Sequence, residues 1–154
     1  MKLYVYDHCP FCVRARMIFG LKNLPVELVV LANDDEATPI GLVGKKVVPI
    51  LVKEEGTAMP ESLDIVHYVD EHFGEKILSE HVRPEIEAWL KEVGSYYGHL
   101  TTARFTQIGL AEFETQSAVD YFTKKKTEFI GDFAENIAKT ETYLARLKGD
   151  LEKL

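Results

Sequence analysis

Strand and helix patterns alternate over residues 1–73 of this chain, and from Arg83 onward only helical patterns remain. Residues 2–6 read as a strand, with Leu3 and Val5 on one face and Tyr4 and Tyr6 on the other. Asp7 and His8 end it, and Pro10 suits the first turn of a helix, where its missing N–H costs nothing. Residues 10–22 carry Phe11, Ala15, Ile18, Phe19 and Leu21 at spacings that fit a partly buried helix. Residues 26–31 are nearly continuous in apolar, β-branched side chains, the pattern of a buried parallel strand. A short helix should follow the polar run 33–36 and end near Gly41 or Gly44. Residues 47–52 make a third strand, in which Pro49 requires either a strand start or a special bond geometry. Gly56 turns the chain into a short fourth strand at 57–59, a hairpin partner of the third. A helix opened by Pro60-Glu61-Ser62 and running to His72, buried through Leu63, Ile65, Val66 and Val69, completes a βαβαββα order.

The second half reads differently. Pro84-Glu85 starts a helix with Ile86, Leu90, Val93, Tyr97 and Leu100 at helical spacing, and further helices are expected over 115–126 and 129–151. The expected organisation is an α/β domain at 1–73, a polar linker at 74–82 and an α-helical domain at 83–154. Trp89 should pack between helices or domains, and Ile77-Leu78 in the linker should dock on a neighbour.

Eighteen Lys and Arg against twenty-five Asp and Glu leave a formal charge of −7, so the counterion release that drives nucleic-acid binding is not available to the chain as a whole. Lys124-Lys125-Lys126 reads as a solvated helix face. Apolar runs fall well short of the roughly twenty residues that span a bilayer, and Lys2 and Asp7 break any leader-like stretch. A cytoplasmic protein that binds neither nucleic acid nor membrane is expected, working as a monomer.

Only two cysteines occur, together, as Cys9-Pro10-Phe11-Cys12. A disulfide closing so short a loop adds little stability, and a structural zinc site would need two further ligands at suitable spacing. His67, His72, His81 and His99 show no metal spacing and are expected to be structural. The cysteines are therefore read as chemical. Cys9 stands where a strand gives way to a helix, and unpaired N–H groups there favour a thiolate. Cys12, one turn on and more shielded, is placed to attack a mixed disulfide formed on Cys9. His8 and Arg14 are candidates for electrostatic help. A chance pair of buried cysteines, or a cluster shared between two chains, stays open on spacing alone.

Cys9-Pro10-Phe11-Cys12 resembles the glutaredoxin active site rather than that of thioredoxin. Val48-Pro49 matches the position where thioredoxin-fold proteins keep a cis-proline opposite the active site. Pro60-Glu61-Ser62, followed by Asp64-Ile65, looks like the element with which glutathione transferases hold the γ-glutamyl end of glutathione. Together with the opening residues 1–23 and a helical second half, these features are similar to the bacterial glutaredoxin 2 proteins. The resemblance implies a thioredoxin-like amino-terminal domain and a glutathione-transferase-like helical domain. It also implies further helices beyond Leu154, so the helical part is expected to be shortened.

By that resemblance the chain is a glutathione-dependent dithiol oxidoreductase, with Cys9 as nucleophile and Cys12 as resolving thiol. Val48 and Pro49 would bind the cysteinyl part of glutathione, and Glu61 and Ser62 its γ-glutamyl end. An edge-strand proline and a plain helix cap are the ordinary readings of these pairs, and the dithiol beside them favours binding. Lys22, Arg16 and Lys46 are weaker candidates for the glycyl carboxylate, each otherwise a surface charge. Tyr6 flanks the site and is expected to pack. Glutathione supplies the electrons, so no bound metal or nicotinamide is expected. Glutathionylated or disulfide-containing proteins are the expected partners. Two alternatives are a glutathione transferase that conjugates electrophiles and a non-enzymatic redox-sensing module.

Overall fold

Leu3 and Val5 are completely buried in strand β1 (Lys2–Val5), the alternation that places this strand at the centre of a sheet. The computed structural model describes residues 1–79, 81 and 83–154; Glu80 and Val82, both in the expected linker, lie outside the described residues. Two compact units result, one of Met1–Ser79 with Leu110–Ala118 and the other of Glu80–Gly109 with Val119–Leu154. A segment from the helical half of the sequence thus belongs with the first unit, where a contiguous boundary would not put it.

In the first unit, helix α1 (Pro10–Leu21) follows β1 and leads to β2 (Glu27–Val30), which pairs with β1 in parallel, Leu3 opposite Leu28. Helix α2 (Ala37–Val43) ends at Gly44, whose φ of 75° favours a residue without a Cβ. Strands β3 (Ile50–Val52) and β4 (Ala58–Pro60) form the antiparallel hairpin, and β3 pairs antiparallel with β1. The sheet order is β2-β1-β3-β4. Pro49 lies just before β3, so it costs the ladder no donor. Helix α3 (Ser62–His72) packs on α1, and Cys12, Ala15, Ile18, Phe19, Ile65 and Val69 close over Leu3, Val5 and Leu51.

Two expectations need correction. β2 is an edge strand with Glu27 and Leu28 exposed, not a buried one, because β3 takes the other side of β1. Leu63 is 52% exposed: α3 turns Ser62, Ile65, Val66 and Val69 inward, and that phase carries Leu63 out.

After α3 the chain is tied down by a buried carboxylate. Asp70 accepts from the Ile77 and Leu78 N–H groups at 3.0 and 3.1 Å, and Leu78 packs on the core while Ile77 is exposed. Lys22 reaches the same carboxylate at 2.8 Å and is itself almost fully buried.

The second unit is helical. Helix α4 (Pro84–Phe105) packs on α6 (Phe133–Ala138) and α7 (Thr140–Leu151), and α5 (Gln116–Ile130) precedes them. Its buried stripe is Val93, Tyr96, Leu100 and Ala103; Leu90 and Tyr97, expected inside, are exposed. The single helix expected over 129–151 is two helices. Gly131 takes a φ of 76°, and the Asp132 carboxylate caps α6 by accepting from the Glu135 N–H at 2.9 Å. The Trp89 indole N–H donates to the Asp150 carbonyl at 2.6 Å, and the Tyr96 hydroxyl donates to the Asp150 carboxylate at 2.8 Å. Among the described residues no helix is long and apolar enough to cross a membrane.

Candidate functional site

The site grows from the junction of β1 and α1. Pro10 occupies the first turn of α1 and Cys9 its N-cap position, with the Cys9 carbonyl accepting from the Val13 N–H at 3.0 Å. Both thiols are free; Cys9 is half-buried and Cys12 completely buried. The Tyr6 N–H points at the Cys12 sulfur at 3.4 Å.

The two sulfurs are driven apart in acidity. Hydrogen bonding from the Cys12 thiol is the largest influence on Cys9. The backbone N–H groups of Cys12 and Phe11 and the charge of His8 add to it, outweighing burial and bringing Cys9 down from 9.0 to about 6. Cys12 is pushed the other way, by donating to Cys9, by burial and by the negative charges of Cys9 and Glu112. One sulfur is a thiolate at neutral pH while the other holds its proton. The helix start lowers Cys9 as the sequence implied, but its own partner thiol contributes more.

Across from this turn, Phe11, Arg14, Val47, Val48, Pro49, Glu61, Ser62, Leu63 and Asp64 line a groove of about 490 Å³, a size usual for small-molecule sites. The structure therefore brings Val48, Pro49, Glu61 and Ser62 together, with Phe11 from between the cysteines as part of the wall. The Val48–Pro49 bond is cis. Glu61 holds a φ of 72°, a region that strongly favours glycine, and Ser62 begins α3 almost fully buried. The Arg14 guanidinium lies 5.5 Å from the Phe11 ring centre and extends an N–H toward the Ser62 hydroxyl at 3.5 Å. Lys45 pairs with Glu61 at 2.9 Å on the surface.

The three cations suggested for a carboxylate are engaged elsewhere. Lys22 is not a surface charge but half of the buried pair with Asp70. Arg16 bonds Asp7 at 2.8 Å, and Lys46 donates to the Asn33 carbonyl at 2.6 Å. Arg14 and Lys45 are the cations beside the groove and its rim.

On the other side of Cys9, a short 3-10 turn (Ala111–Phe113) meets His8. Glu112 is completely buried, and its Oε1 accepts from the His8 backbone N–H at 3.0 Å and lies 2.7 Å from His8 Nδ1. The imidazole is stacked between Tyr6 and Phe113, at ring-centre distances of 5.5 and 5.3 Å. Sequence reasoning missed Glu112 and Phe113. Of the histidines read as structural, His72 bonds the Tyr68 carbonyl and His99 bonds Asn136. Among the described residues no three His, Cys, Asp or Glu side chains converge as a metal site.

Over all 154 residues the chain is 49% identical to glutaredoxin 2 of Escherichia coli K12, spanning 72% of that protein. The chain belongs to the glutaredoxin 2 family. Residues 85–154 match the family model of the glutaredoxin 2 C-terminal domain, and residues 3–77 that of the glutathione S-transferase N-terminal domain. The crystal structure of glutaredoxin 2 from Salmonella typhimurium, a complex with glutathione, matches this fold with a TM-score of 0.96. It is 50% identical, the match covering 99% of this chain and 70% of that one. A glutathione transferase from Phanerochaete chrysosporium shares the fold alone, with a TM-score of 0.68 at 14% identity over 99% of this chain and 72% of its own. A thioredoxin-like domain and a glutathione-transferase-like helical domain are thus the architecture of this glutaredoxin, as its sequence implied. It is a glutathione-dependent thiol oxidoreductase, with glutathione as co-substrate.

Proposed function

We propose that this glutaredoxin reduces glutathione mixed disulfides and protein disulfides, with Cys9 as nucleophile, Cys12 as resolving thiol, and Val48, Pro49, Glu61 and Ser62 as the glutathione site. The observation that carries this reading is the pairing of a half-buried, acidified Cys9 with a buried, protonated Cys12 at one helix start. In the monothiol route the Cys9 thiolate attacks the glutathione sulfur of a mixed disulfide. The substrate leaves as a thiolate that takes a proton from solvent, and Cys9 becomes glutathionylated. The thiolate of a second glutathione attacks that glutathione sulfur, releasing glutathione disulfide and restoring the Cys9 thiolate.

In the dithiol route Cys9 attacks a protein disulfide, and Cys12, on losing its proton, displaces the reduced substrate and forms the Cys9–Cys12 disulfide. Two glutathiones then reduce that bond. Recognition rests on the groove: the Val48 backbone pairs with the cysteinyl segment, Glu61 accepts from the α-ammonium, and Ser62 donates to the α-carboxylate at the start of α3. The Salmonella relative, whose crystal structure is a glutathione complex, supports a groove of this chemistry. The reading extends to a monomeric, cytoplasmic enzyme acting on glutathionylated or disulfide-bonded proteins. Along the sequence it takes the domain limits as 1–73 and 83–154 with a linker at 74–82, the segment Leu110–Ala118 grouping with the first unit.

The test is glutathione-driven reduction of a small glutathione mixed disulfide by the wild type and by Cys9→Ser and Cys12→Ser. Turnover should vanish in the first variant and persist in the second. Turnover that survives Cys9→Ser would overturn the assignment.

A further inference from the structure

We propose that Glu112 is a positioning residue of the redox site, clamping His8 through both its backbone N–H and its imidazole and so holding the approach to Cys9 in its reactive geometry. This rests on the reading of Cys9 as nucleophile. Three observations carry it. A single carboxylate oxygen, Oε1, takes both contacts from His8, at 3.0 Å from the backbone nitrogen and 2.7 Å from Nδ1, so the backbone and the ring are fixed together. The ring cannot swing away, because Tyr6 and Phe113 stack on it. Residue 8 directly precedes Cys9, the N-cap residue of α1, so whatever fixes residue 8 fixes the entry to that helix start.

The carboxylate itself adds a further reason. Its second oxygen, Oε2, is buried with no hydrogen-bond partner among the described residues. A half-satisfied buried carboxylate is costly as a structural fastener, since a smaller or neutral side chain avoids that desolvation. Burial opposes its ionisation, but the imidazole and backbone N–H of His8 outweigh it and hold Glu112 below the ordinary carboxylate range. It therefore faces His8 as an anion. The titratable groups around this cluster are Tyr6 and His8 from the β1–α1 connection and Cys9 and Cys12 at the start of α1. The Asp7–Arg16 ion pair adjoins it.

The geometry assigns the segment Leu110–Ala118, which groups with the first unit, a part in setting thiol reactivity. The experiment is the pH profile of iodoacetamide alkylation of Cys9 in Cys12→Ser backgrounds, comparing Glu112 with Glu112→Gln and Glu112→Ala. Val69→Ala, which opens a cavity in the core of the same unit, is the control for simple destabilisation. Loss of the Glu112 charge by itself would lower a nearby thiol, whereas loss of the clamp removes the ordered His8 charge that favours the Cys9 thiolate. In Glu112→Ala the midpoint should therefore rise by about one unit, slowing alkylation at pH 6.5 by about threefold, with Glu112→Gln intermediate and Val69→Ala unchanged. Should Glu112→Ala not fold, the isosteric Glu112→Gln decides by the same slowing. Variants whose midpoint matches or falls below that of the wild type, or a Val69→Ala that raises it equally, would overturn the proposal. Cys9→Ser turnover separately tests the reading on which it rests.

Discussion

Lys22 and Asp70 form an ion pair sealed inside the first unit, at 2.8 Å, and the same carboxylate anchors the backbone of Ile77 and Leu78. Removing one partner leaves the other charged, buried and unanswered, which is more damaging than never having built the pair. Lys22→Met should lower the melting temperature by roughly 5–10 °C, read by circular dichroism, with little change in Cys9 alkylation.

The pair also predicts an acid response. Burial works against the Asp70 anion, but the Ile77 N–H, the Lys22 ammonium and the Leu78 N–H prevail and hold its pKa at about 2, against 3.8 ordinarily. A depressed folded-state value contributes stability that is fully present above pH 3.8 and is lost as pH falls through 2. In Lys22→Met the folded-state value rises, so acid unfolding should begin at higher pH than in the wild type. Coincident acid titrations of the two proteins would contradict this.

Cys12 acts on Cys9 before it ever reacts. Because the Cys12 thiol is the largest influence lowering Cys9, Cys12→Ala should raise the Cys9 midpoint above 6 further than Cys12→Ser, which keeps an O–H donor. If Cys9 in the alanine variant returned to an ordinary thiol value, its thiolate fraction at pH 7 would drop from about 90% to a few per cent. Thiolate absorbance near 240 nm across a pH series measures the difference. Equal midpoints in both variants would refute this ordering.

Glu61 is held at a positive φ at the mouth of the groove, a conformation costly to any residue with a Cβ. Glu61→Gly should therefore raise the KM for glutathione about tenfold or more through the lost carboxylate, while the unfolding midpoint in urea holds or rises. A lowered midpoint would show that Glu61 serves the fold rather than the ligand.

In the second unit the lone tryptophan reports on the last helix. Asp150 holds Tyr96 by its carboxylate, and its carbonyl receives the Trp89 indole N–H. Asp150→Ala should loosen this junction and shift Trp89 emission to the red, leaving alkylation of Cys9 as it was. Unchanged emission would mean that the backbone contact alone fixes the indole.

What could be read from sequence was local. Pro10 and the spacing of Cys9 and Cys12 announce a helix start and its chemistry, because both depend on residues within one turn. The groove was legible only through resemblance, since no periodicity links Val48-Pro49 to Glu61-Ser62. Glu112 left no trace: its partner lies 104 positions away, and an isolated acid between Ala111 and Phe113 looks like any loop residue. β2 misled because an apolar run says nothing about what pairs on either side of its neighbour. In α4 the expected and observed stripes share Val93 and Leu100, and the choice of Tyr96 over Tyr97 is made by Asp150, far along the chain.

In the proposed dithiol route, the opposed acidities of the two thiols make the second step wait for the first. While Cys9 is an anion, it anchors the Cys12 proton and repels a second charge beside it. Once Cys9 is joined to a substrate sulfur, both restraints disappear together, and Cys12 becomes easier to ionise at the moment when there is a disulfide for it to attack. The site carries its own timer, and capture of the substrate is what starts it.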